Sequence, residues 1–379
     1  MQKGEFIDMK IAILTLYYKS SNYGGILQSY ALQHFLQLQG HDCKQISYIL
    51  DSGYKGYKKK IIWNRFKEII KIVIRQKWYL KHREYARNIY NFADTIPHTK
   101  ALKANQLSTI SDNFDAFIVG SDQVWNPIGW QSTMFLDFLP ENKLCFSYAA
   151  SIARSKLTKE EIDFIKNHVQ RFRYVSVREQ QSADMLNKAM IGKDVLVMPD
   201  PTFLLSNEDW IGLSAPRLVK ENYVFAYFLG TNFKQREDAI SFAEKKGMKI
   251  FFIPYMNKCS FKWDKEHEKY MIYNIGVPEF LSIIKNATYV ITDSFHGAVF
   301  SSIFKTPFVV LNRFDEGDKN SMNSRIVTLM KTLNIQREFS SLDMNKDYNF
   351  TDIEIKSIDE AFADQKAKGI SFLKEILEG

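Results

Sequence analysis

What most limits the fold open to this chain is a pattern that repeats along it: a short apolar run, a polar or glycine-bearing loop, a helical periodicity, then another apolar run. Residues 10–17 read as a buried first strand, Gly24 and Gly25 as a turn, 26–39 as a helix ended by Gly40, and 43–48 as the next strand. Apolar runs without alternation belong to strands covered on both faces, and strand–turn–helix–strand is a parallel βαβ unit. Strands at 114–119, 143–148, 174–177 and 195–198 continue the alternation, with a helix at 159–171. After a break at 199–216 the pattern restarts: strand 223–229, helix 234–246, strand 248–253, helix 278–285, strand 289–292, turn DSFHG, helix 298–304 and strand 308–311. The expected fold class is α/β, as two doubly wound, Rossmann-like domains in a GT-B-like arrangement. The expected boundaries are 9–205, with a basic helical insertion at about 55–90, then 206–345, then a tail at 346–379 that is helical at its end.

Bulk properties narrow the class further. With 379 residues, 45% hydrophobic and 25% charged, each half can bury a core, which excludes disorder. Three dispersed cysteines (Cys43, Cys145, Cys259) make neither a zinc motif nor a disulfide framework and fit a reducing, cytoplasmic setting. The amino-terminal apolar run is too short for a signal peptide; residues 1–8 read as a leader, and no run approaches a membrane span. The net charge of +8 is concentrated: residues 55–90 hold twelve Lys/Arg against Glu68 and Glu84. With Trp63, Phe66 and several isoleucines on one side, this stretch reads either as helices docking on the inner face of an anionic membrane or as helices packed on their own domain. No nucleic-acid-binding motif accompanies the charge.

Ligands of open parallel sheets bind beyond the carboxyl ends of strands. Four segments meet that condition. Asn22, Gly24 and Gly25 follow the first strand, where backbone N–H groups could hold an anion or a sugar hydroxyl, or simply form a βα turn. Ser121, Asp122, Gln123, Trp125 and Asn126 follow the strand at 114–119; Trp with short polar groups suits sugar stacking and hydrogen bonding, with Asp122 otherwise a cap. Arg178 follows another strand and is either an anion clamp or a surface partner of Glu179. His296, between Ser294 and Gly297, follows the strand at 289–292 with Asp293 as its expected orienter. HExxH, GxSxG and Cys/His clusters are missing, so no metal is expected.

The segments NYGGILQSYALQHFL, GSDQVWNP, FLDFLP with SYAAS, VREQQSADML, DPTFLL, GVPEFLSIIKNATYVITDSFHGAVFSSIF and NSRI occur in that order. Together they resemble the polysaccharide pyruvyl transferases, from about Lys10 to Ile335. The resemblance implies transfer of the enolpyruvyl group of phosphoenolpyruvate, a co-substrate rather than a cofactor, to two hydroxyls of a sugar in a polysaccharide or its lipid-linked precursor. It implies His296 as general acid/base, Arg178 as a holder of the small anionic donor and Asp122 on the acceptor side. Family members carry an Arg two residues before the His; this chain has Ser294, so a phosphate contact is either missing or supplied by Arg313, Arg325 or the helix amino end. A GT-B glycosyltransferase using a nucleotide sugar and a non-catalytic glycan-binding protein are the competing expectations.

Overall fold

The computed structural model describes residues 8–50, 80–81, 83–127, 132–255, 262–314 and 323–378. The basic stretch at 55–90 therefore falls mostly outside the described residues, and Cys259 does too.

The first half winds a parallel sheet from β1 (Lys10–Leu14), β2 (Asp42–Gln45), β3 (Ala116–Val119) and β4 (Leu144–Ser147), in the order β2-β1-β3-β4. Bridges Phe146–Tyr174 and Ala150–Val177 carry it on to β5 (Val175–Val177), which pairs with β6 (Val195–Val197). In the second half, β7 (Tyr223–Tyr227), β8 (Lys249–Phe252), β9 (Tyr289–Thr292), β10 (Phe308–Leu311) and β11 (Glu338–Phe339) lie in the order β11-β10-β9-β7-β8, again parallel. β1, β3, β7, β9 and β10 are buried almost throughout, which is why they carry Ile, Val, Phe and Ala rather than alternating polar residues.

Both sheets change direction at an equivalent place. The chain moves from β1 outward to β2 and returns to the other side of β1 as β3; it moves from β7 to β8 and returns as β9. At such a switch point the loops leaving neighbouring strands diverge and leave a crevice. The loops after β1 and β3 open toward those after β7 and β9, so the two crevices face one another.

One apolar core passes beneath that opening. It joins Ile11, Ile13, Tyr23, Ile26 and Leu27 of the first half to Tyr227, Phe280, Leu281, Val299 and Phe300 of the second. Tyr23 stacks on Phe280, with centroids 4.2 Å apart, and donates its hydroxyl to the Ile275 carbonyl. A packed apolar interface of this kind fixes the halves more firmly than a polar domain contact. The helix Asp352–Glu378 runs back over the first half, setting Phe372 against Phe146, Tyr148 and Tyr174. No helix among the described residues is long and apolar enough to cross a membrane.

Two helix starts differ from the sequence reading in the same way. The helices are Tyr23–Leu38 and Phe295–Ile303, each beginning three residues earlier than the periodicity indicates. Gly24, Gly25, His296 and Gly297 thus sit in first helical turns, not in turns before them. Side-chain caps explain the shift: Asn22 Oδ1 accepts from Gly24 N at 3.0 Å, and Ser294 Oγ accepts from Gly297 N at 3.3 Å.

Candidate functional site

A cleft enclosing about 1060 Å³ opens between the facing switch points. Lys19, Ser20, Ser21 and Asn22 line it after β1, Asp122 and Gln123 after β3, and Leu229 after β7. Tyr255 follows β8, Ser294 to His296 follow β9, Arg313 follows β10, and Arg325 comes from the helix Ser324–Thr332.

His296 stands at the seam between the halves. Its Nδ1 lies only 2.0 Å from where a side-chain carbon on Gly24 would be, so the ring occupies space that only glycine leaves open. On its other side, Nε2 is 3.5 Å from Asp200 Oδ2 and has no hydrogen-bond partner of ordinary geometry among the described residues. The same Asp200 oxygen accepts from Arg178 Nη1 at 2.5 Å, while Oδ1 takes Thr202 N at 3.1 Å and Thr202 Oγ1 at 2.8 Å. Burial alone would favour the neutral acid, but His296 and Arg178 outweigh it and hold the Asp200 carboxyl well below the usual carboxylate range.

The Arg178 guanidinium is buried, and that burial opposes its charge. Asp200, Glu179 at 3.4 Å and Asp122 at 4.0 Å more than compensate and raise its pKa. Arg178 lies over the Phe295 ring, 4.5 Å from its centroid. It is therefore not the surface partner of Glu179. It sits behind the cleft rather than on its wall, with Nη2 directed at Asp122 and lacking a hydrogen-bond partner among the described residues.

Asp293 does not orient His296. Its Oδ1 accepts from Leu229 N and its Oδ2 from Gly230 N, both at 2.7 Å, and Arg313 packs on it. The carboxylate beside the imidazole is Asp200, which sequence reasoning missed. Its signal was the one used for the other four segments, a polar side chain just past a parallel strand, here Asp200 after β6. Lys19 and Tyr255 are further wall residues outside the expected set, and Arg313, named above as a substitute contact, also lines the wall.

Several expected contacts are corrected by packing. Trp125 cannot stack on a sugar: it is fully buried between Phe135 (5.0 Å) and Phe172 (5.9 Å), and its indole N–H is given to the Met134 carbonyl. Ser121 is also fully buried; its N–H goes to Gln28 Oε1, its hydroxyl to Ala149 O, and its carbonyl accepts from Thr15. Asn126 lies beneath the wall and donates to Gln123 Oε1 at 3.3 Å, which steadies the Gln123 side chain. The N–H groups of Gly24 and Gly297 are spent on their caps, so these glycines serve close packing and not anion binding. Gly25 likewise packs against Leu16 O and Asp122. Asn22, Asp122, Gln123, Ser294, His296 and Arg325 do meet at the cleft. Asp122 takes a left-handed backbone, φ 60°, which turns its carboxylate inward over Gly25. No group of three or more His, Cys, Asp or Glu side chains among the described residues is arranged as metal ligands.

This architecture, two doubly wound sheets with a cleft between their facing strand ends, is the GT-B arrangement. It is similar to a UDP-GlcNAc 2-epimerase from Methanocaldococcus jannaschii (14% identity, 98% of this chain and 100% of that one, TM-score 0.50). It is also similar to the Neisseria meningitidis UDP-GlcNAc 2-epimerase bound to UDP-GlcNAc (9%, 98% and 100%, 0.52) and to a wall teichoic acid polymerase (12%, 100% and 91%, 0.50). At such identities the likeness is one of fold. No curated protein sequence matches the chain. The model of the polysaccharide pyruvyl transferase family matches residues 22–315, from the Asn22 cap to just past Arg313. The chain belongs to that family and is a transferase of the α/β, GT-B-like kind.

Proposed function

We propose that the protein moves the enolpyruvyl group of phosphoenolpyruvate onto a sugar of a surface polysaccharide or its lipid-linked precursor, forming a pyruvate ketal. The observation that carries this reading is the buried line His296–Asp200–Arg178 beneath a cleft whose opposite wall bears Asp122.

The chemistry needs a proton delivered to carbon, a hydroxyl deprotonated and a phosphate released. His296, set beside the Asp200 carboxylate, gives a proton to the methylene carbon, which becomes the ketal methyl. One sugar hydroxyl attacks the central carbon as Asp122 takes its proton. The carbon–oxygen bond to phosphate then breaks, and the second hydroxyl closes the ketal. Of the two hydroxyl protons, one replaces that lost by His296 and the other leaves with phosphate. Cationic side chains offset the donor's charge throughout, and no resident cofactor or metal is required. A lipid-linked acceptor would bring the basic segment 55–90 against an anionic membrane surface on the cytoplasmic side.

The test is phosphate release in the presence of phosphoenolpyruvate and a glycan acceptor. His296→Ala is expected to slow it by about a hundredfold to ten-thousandfold. Wild-type protein stabilised by a nucleoside diphosphate and not by phosphoenolpyruvate would instead favour glycosyl transfer.

A further inference from the structure

Three guanidinium groups surround His296, and they are not equivalent. Arg178 is crowded by three carboxylates within 4.0 Å: Asp200, Glu179 and Asp122. Those acids already outnumber its charge. Arg313 has a different setting. A single acid, Asp293, takes one edge of it, with Nε 3.3 Å from Oδ2, Nη2 donating to the Asp293 carbonyl at 2.8 Å and Nη2 3.4 Å from Oδ1. Nη1 on the other edge has no partner among the described residues, and the side chain lines the cleft wall shared with His296.

The mounting of Arg313 is specific. Asp293 is itself locked by Leu229 N and Gly230 N. A side-chain carbon on Gly230 would fall 2.7 Å from Asp293 Oδ2 and 3.0 Å from Arg313 Cγ, so glycine at that loop is what lets acid and guanidinium meet. Arg325 lies on the same wall. Burial first, then the charges of Arg178 and Arg313, push it down to about 10. Ser294, at the mouth of the helix, spends its hydroxyl on the cap and brings no charge.

We propose that Arg313 grips the phosphoryl end of the donor as a dianion, with Asp293 and Gly230 as its positioning pair. A planar guanidinium with one edge anchored presents the other edge for a charge-assisted contact to phosphate oxygen. The donor's name rests on the pyruvyl-transfer reading; the phosphoryl subsite does not.

Binding of inorganic phosphate and of pyruvate, each titrated calorimetrically into the full-length protein, separates the two ends. Arg313→Ala is expected to weaken phosphate binding by about ten- to a hundredfold and to leave pyruvate binding unchanged. Arg313→Lys, which keeps the charge and guards against a folding artefact, should recover part of the phosphate affinity. Asp293→Asn should weaken phosphate and spare pyruvate; in turnover, both Arg313→Ala and Asp293→Asn should raise the donor KM more than they lower kcat. Equal phosphate affinity in wild type and Arg313→Ala, or no phosphate binding by wild type, overturns the assignment. Phosphate binding that depends on Arg313, without any turnover of phosphoenolpyruvate, would sustain the subsite and remove the pyruvyl-transfer reading instead.

Discussion

Two helix beginnings face each other across the cleft, Asn22-Tyr23-Gly24-Gly25 and Ser294-Phe295-His296-Gly297, and they are built alike. Each follows the first strand to leave its sheet's switch point or the strand that returns there, β1 in one half and β9 in the other. Each opens with a short polar cap, and each places an aromatic residue next: Tyr23 stacks across the interface on Phe280, and Phe295 lies under Arg178. They part at the third residue. Where the second half presents the imidazole, the first presents glycine, and the one fits into the other. The same local device therefore supplies an imidazole on one side and its receptacle on the other. The seat of that imidazole is made by what one half leaves out as much as by what the other puts in.

That pairing can be broken from the empty side. Gly24→Ala places a carbon 2.0 Å from His296 Nδ1, between two buried elements with little freedom to move apart. The expected result is a loss of about a hundredfold in phosphate release, although no chemical group has been removed. Gly25→Ala, whose nearest atoms are Leu16 O at 3.2 Å and Asp122 Oδ2 at 3.4 Å, serves as the neighbouring control and should lose far less. Equal losses from the two variants would show that helix packing in general, and not the seat of the imidazole, is at stake.

The receptacle can next be tested from behind. Asp200→Asn keeps the shape and removes the negative charge beside the imidazole; kcat should drop by about tenfold. Stability supplies a second readout. Because the Asp200 carboxyl is depressed in the folded protein, its contribution is present above the ordinary carboxylate range, near pH 4, and is lost as pH falls through the folded value. Denaturant titrations below pH 4 should show a shallower loss of stability in the Asn variant than in wild type. Identical slopes would mean that Asp200 carries no special charge.

The smallest effects should come from the caps. Asn22→Ala and Ser294→Ala each remove one side-chain acceptor and should each cost about 1 kcal/mol in chemical denaturation. Their activities should diverge, since only Ser294 anchors the turn that carries His296. Matching activity losses would undo the asymmetry between the two turns.

Much of this was legible in the residue order. Buried parallel strands announce themselves as unbroken apolar runs, so β9 and β10 fall at 289–292 and 308–311 as the runs predict. The glycine loops and strand ends pointed to Asn22, Asp122, Gln123, Ser294 and His296, and the family resemblance to Arg325. The misses have a common cause. Trp125 and Ser121 follow β3 as a cleft residue should, yet Phe135, Phe172 and Gln28 cover them, and none of these is near in sequence. Asp293 is His296's neighbour along the chain but faces β7, whereas Asp200, nearly a hundred residues earlier, faces the imidazole.

The sequence by itself determined the parallel winding, its repetition in two halves and the strand ends from which a site could be made, because those follow from local periodicity and the preference of short polar residues for helix beginnings. Only the tertiary structure decided which carboxylate meets the imidazole, which guanidinium keeps a free edge, and why Gly24 has no side chain. Those outcomes depend on contacts between surfaces that approach one another only after both sheets have closed over their shared core.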